Sequence, residues 1–119
     1  MSYISHYSFS KKAFIAICCL LSLSFMTRVY AATPIITIDI RNHLFIPSEI
    51  TIPENTKVKL IIHNYDEEDE EFESYELNRE KVIIGKRKGT IFIGPLPAGE
   101  YPFFGEFFPK TAQGKVIVE

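Results

Sequence analysis

The chain has no tryptophan, and its only two cysteines, Cys18 and Cys19, stand together inside an N-terminal apolar run. That run, Ala13 to Met26, follows Lys11 and Lys12 and leads to Val29-Tyr30-Ala31, which fits the small-residue rule for signal peptidase cleavage. The sequence therefore predicts an export signal over residues 1–31 and a folded domain over residues 32–119, with 88 of the 119 residues in the domain. An apolar run of 14 residues is short for a helix crossing about 30 Å of hydrocarbon, so an uncleaved membrane anchor is the alternative to periplasmic release.

Loss of that segment would leave the domain without a thiol. Disulfides, thiolate nucleophiles, cysteine-based zinc sites and an ordinary blue-copper centre are then excluded. Lys11, Lys12 and Arg28 leave as well, so 13 basic residues become 10 against 15 acidic ones, a net charge of about −5. Such a balance argues against nucleic acid or anionic lipid as a partner. No feature marks a small-molecule substrate. Without tryptophan or disulfide, so short a domain must rest on one small core rich in Ile, Val and Phe.

What is present is alternation. Ile36, Ile38 and Ile40 interleave with Thr37 and Asp39, and Val58, Leu60 and Ile62 with Lys59, Ile61 and His63. Further runs are Ile50 to Ile52, Phe72 to Leu77, Lys81 to Ile84, Thr90 to Ile93, Tyr101 to Phe107 and Lys115 to Val118. Turn formers separate them: Pro47-Ser48, Gly85 to Gly89, Gly94 to Gly99, and Pro109 with Gly114. Period-two runs at this spacing predict an all-β fold of about eight short antiparallel strands that pack as two sheets face to face or close into a small barrel, and the aromatic strand, loop and terminal strand from Tyr101 to Val118 suit a Greek-key sandwich.

Three constellations stand out. Asp66 to Glu71 is a run of six carboxylates, of which Asp66 to Asp69 read as a solvated loop. In Glu71-Phe72-Glu73 the chain enters a strand, which puts both carboxylates on one face and Phe72 in the core. Oxygen donors so placed suit Fe²⁺, Fe³⁺ or Mn²⁺. Glu106 is a lone charge within the aromatic stretch Tyr101 to Phe108, either a surface carboxylate or a ligand. His43, in an irregular connection after the first strand, is the better histidine candidate, whereas His63 at a strand end reads as a packed or surface residue.

These segments resemble the cupredoxins, and within them the small exported cupredoxin-like proteins found beside bacterial iron permeases. The resemblance is carried by Phe45-Ile46-Pro47 with Ile50-Thr51-Ile52-Pro53, by Val58-Lys59-Leu60 leading to His63-Asn64, and by Glu71-Phe72-Glu73-Ser74. It continues through Gly94-Pro95-Leu96, Gly99-Glu100-Tyr101, Phe103 to Phe107 and Thr111 to Gly114. It implies that Glu71, or Glu73, stands where a blue-copper protein has its first histidine, Gly105 where it has cysteine, and Phe108 where it has the second histidine. Ala112 or Gln113 falls near the methionine. The permease-associated relatives usually read Gly-Glu-Phe-His over the last of these stretches, and Phe108 replaces that histidine here.

The resemblance thus implies an exported metal-binding protein, with iron or copper held by Glu106, Glu71, Glu73 and His43, acting as an accessory of ferrous iron uptake. An iron permease or another periplasmic uptake protein would be its partner. Glu80 is a further candidate that Arg79 and Lys81 could instead engage in surface ion pairs. Two alternatives stay open. One is a metal-free module docking on a transporter. The other is a ferroxidase subunit, which would need an external electron acceptor because the chain shows no redox cofactor of its own.

Overall fold

Alternating side chains make a strand stable only if one face is buried, and here two sheets bury their apolar faces against each other. The structure, a computed structural model, describes residues 31–119; the expected export segment and its cysteines lie outside the described residues, Ala31 excepted. The strands are β1 (Ile35–Arg41), β2 (Leu44–Ile46), β3 (Glu49–Ile52), β4 (Val58–Asn64), β5 (Glu70–Ser74), β6 (Arg79–Ile83), β7 (Lys88–Ile93), β8 (Gly99–Gly105) and β9 (Gln113–Val118). One sheet has the order β2-β1-β4-β7 and the other β3-β9-β8-β5-β6. The all-β sandwich is as expected, with nine strands rather than about eight; the addition is the three-residue β2, too short to show an alternation of its own.

Strand direction is a correction. β1 pairs with β4 in parallel, and β3 with β9 in parallel, whereas the sequence pattern suggested antiparallel pairing throughout. A period of two fixes which face a side chain takes but not the direction of the neighbouring strand. The core is built of the expected residue types. Ile38, Ile40, Leu60, Ile62 and Ile93 from one sheet meet Ile52, Phe72, Ile83, Phe103 and Val116 from the other. Phe45, Phe72 and Phe103 form its aromatic centre, with ring centroids 4.9 to 6.1 Å apart.

The acidic run is only partly a solvated loop. Glu67, Glu68 and Asp69 are exposed, as expected, but Asp66 is not: its side chain is 14% exposed. Its carboxylate accepts the backbone N–H groups of Asn42 at 2.8 Å and His43 at 2.9 Å. Those two residues form the β1–β2 turn, both with φ near +55°, a left-handed geometry that suits asparagine and matches the twist of a hairpin. Fully buried Asn64 braces the same loop. Its amide donates to the carbonyls of Glu68 and Ile83, and its side-chain oxygen accepts the Asp66 N–H. Asp69 accepts the Gly85 N–H at 2.9 Å.

Candidate metal centre

The burial of β5 alternates strictly: Glu70, Phe72 and Ser74 face the core, while Glu71 and Glu73 share the outer face. β6 runs antiparallel to β5 with Glu80 directly opposite Glu73. Glu71, Glu73 and Glu80 each bring one carboxylate oxygen within 4.8 Å of the others. Glu106 follows β8, and its N–H donates to the Glu71 carbonyl at 2.8 Å, which fixes the start of the next loop beside this face. The Glu73 carboxyl is held above its ordinary pKa, first by partial burial and then by the charges of Glu80, Glu71 and Glu106. Among the described residues no lysine or arginine forms an ion pair with any of these four, so the surface ion pairs considered for Glu80 are not made. Beside the cluster lies an open cleft of about 490 Å³ lined by Glu73, Ser74, Tyr75, Asn78, Arg79 and Glu80.

His43 is elsewhere, in the β1–β2 turn. Its ring stacks on Phe108 with centroids 3.6 Å apart and planes 15° from parallel, and its Nδ1 lies 3.5 Å from the Asp66 carboxylate. His43 therefore does reach the end of the sandwich where Phe108 sits, but it is not among the groups gathered around Glu73. His63 packs on the ring of Tyr65, which also carries the Arg41 guanidinium at 3.6 Å, so it is a packed residue.

The carboxylate that sequence reasoning missed is Glu70. It is 1% exposed and turned inward, and it is the side chain that a Cβ at position 105 would strike, together with Ala112. Glu71 and Glu73, which the sequence places together on the face opposite Phe72, do share the outer face. The signal for Glu70 was available: Phe72 as a core residue requires the residue two before it to share its face.

A blue-copper centre does not fit this interior. The resemblance puts its thiolate at Gly105, its second histidine at Phe108 and its methionine near Ala112, none of which carries a side-chain donor atom, and the Glu70 carboxylate fills the space a Cβ at position 105 would enter. The outer carboxylates form a different donor set, all oxygen, of the kind hard and borderline cations take.

Comparison with known proteins agrees with the fold. A family profile described as "Cupredoxin-like domain" matches residues 13–118. The uncharacterized protein RP394 of Rickettsia prowazekii (strain Madrid E) is 38% identical over 116 residues, spanning 90% of this chain and 93% of the relative. Among solved structures, the metal binding domain of the Cu(I)-exporting P-type ATPase CopA of Streptococcus pneumoniae D39 aligns with a TM-score of 0.64 at 16% identity, covering 77% of this chain and 91% of that one. Amicyanin from Paracoccus versutus aligns at 0.56 and 20% identity, covering 76% and 85%. At such identities these two structures are evidence of the fold alone.

Proposed function

The chain belongs to the cupredoxin-like family, and on that premise we propose that it is an exported metal-binding protein that takes iron or copper on carboxylates rather than on a thiolate. The observation that carries the proposal is the convergence of Glu71, Glu73 and Glu80, whose oxygens come within 4.8 Å of one another with no neutralising ion pair among the described residues. Unpaired carboxylates at that separation repel. A divalent cation among them removes the repulsion, and the Glu106 carboxylate adds negative charge beside Glu73. The Cu(I)-exporting ATPase domain that shares this fold is named as metal binding, which supports looking for a metal here without saying which metal or which residues.

In the cell the protein would serve as an accessory of ferrous iron uptake, holding the cation briefly and passing it to a membrane permease. A weak, open, oxygen-only site suits transfer better than storage, because few donors and free access favour release. Isothermal titration with Fe²⁺, Mn²⁺ and Cu²⁺ tests the binding. Dissociation constants below millimolar that are lost in a Glu71→Ala, Glu106→Ala double variant support it, and failure to bind, or binding indifferent to those changes, removes it.

One observation favours a second reading, a metal-free docking module. Phe107 is 47% exposed and borders a mainly apolar hollow of about 360 Å³ shared with His43, Phe108 and Pro109. Co-purification with a permease that survives chelation would favour this reading over the metal site.

A further inference from the structure

Glu70 is a buried carboxyl side chain used by neither reading above. Burying a carboxylate is costly unless its oxygens are served by donors. Only one of them is. Oε1 accepts the N–H of Glu71 at 2.8 Å and that of Phe107 at 2.9 Å, while Oε2 is buried with no partner among the described residues. The two served groups are informative, because Glu71 begins the outward acidic face and Phe107 follows Glu106. One oxygen atom thus ties the strand carrying Glu71 and Glu73 to the loop carrying Glu106, across 37 residues of sequence.

The unserved oxygen faces Gly105. A Cβ there would collide with the Glu70 carboxylate and with Ala112, so the inward space at the end of β8 is already full. We infer that Glu70 is a positioning residue: its carboxylate fills the interior place a ligand at position 105 would need and latches the loop after β8. Glu106 is thereby held against the outward carboxylates. The latch itself is independent of any metal; its consequence for binding rests on the outward carboxylates being the metal site.

Amide hydrogen exchange in the metal-free full chain tests the latch. Glu70→Ala should speed exchange at Phe107 by about tenfold, as loss of a buried acceptor predicts, while the amide of Leu60 in the opposite sheet keeps its wild-type rate. Glu70→Gln retains an acceptor oxygen and should stay near wild type. Gly105→Ala, which leaves Glu70 in place but pushes on it, should also speed Phe107, and adding Glu70→Ala should restore part of the stability that Gly105→Ala loses. Exchange at Phe107 unchanged in both single variants, or a double variant no more stable than Gly105→Ala alone, overturns the inference. The coupling to metal is read separately by Mn²⁺ electron paramagnetic resonance. Glu70→Ala should weaken Mn²⁺ binding when Glu106 is present and not in a Glu106→Ala background. A wild-type chain that takes up no Mn²⁺ would remove the metal reading and leave the exchange result to decide the latch.

Discussion

Glu70 and Glu71 are adjacent carboxylates with opposite environments. Glu70 is sealed in the sandwich with one oxygen bonded to two backbone amides. Glu71 lies on the outer face among other carboxylates and free of any ion pair among the described residues. What separates them is a single step along a strand, which turns one toward the core and the other toward solvent. A similar contrast divides the acidic loop, where Asp66 holds a turn and neighbouring Glu67, 84% exposed, holds only Lys86 at 3.5 Å. Like charges in an unbroken row therefore do different work, and the backbone, not the residue type, assigns it.

The contrast can be broken or sharpened by substitution. The largest effect is expected from Phe72→Ala, which removes the buried ring that sets which way β5 faces; urea unfolding should show a loss of about 3–5 kcal/mol. Gly105→Ala should cost about 1–3 kcal/mol by the same measurement, because the added methyl group meets the inward carboxylate and Ala112. Asp66→Ala strips two backbone amides of their acceptor and should cost about 1–3 kcal/mol, whereas Glu67→Ala should change stability by less than about 0.5 kcal/mol.

The smallest effect concerns pH. Because the Glu73 carboxyl is raised in the folded protein, the folded state binds its proton more tightly than the unfolded chain. The resulting stability is complete below the ordinary carboxylate range and is lost as pH rises through the elevated pKa. Glu73→Gln should therefore make the metal-free protein slightly more stable than wild type at neutral pH, and the advantage should vanish in acid. Paired urea midpoints at the two pH values check it. Mn²⁺ should then stabilise wild type more than Glu73→Gln if the outward carboxylates hold the cation.

Much of the fold was legible because alternation and turn residues are local signals. Ile36 to Ile40 and Val58 to Ile62 announced strands, and Gly94 to Gly99 announced the break between β7 and β8. The parallel pairings were not legible, since nothing within β3 specifies β9 as its neighbour. For the site, the face shared by Glu71 and Glu73 followed from Phe72 alone, and the structure places both there. Glu80 came nearer the centre than its charged neighbours suggested, because antiparallel pairing sets it opposite Glu73. His43 was harder to place. Its position depends on a turn held by Asp66, 23 residues away, a contact no local pattern contains. Glu70 was overlooked because a charge run hides the point at which a loop becomes a strand.

The parallel pairing of β3 with β9 has a kinetic consequence. Among the described residues β3 has β9 as its sole sheet neighbour, and Glu49 pairs with Lys115, 66 residues later. Closing so long a loop is entropically slow, and topologies dominated by such contacts fold slowly. The sheet that carries the acidic face thus cannot be completed until β9 is available, so β3 stays without its sheet partner while the intervening strands form.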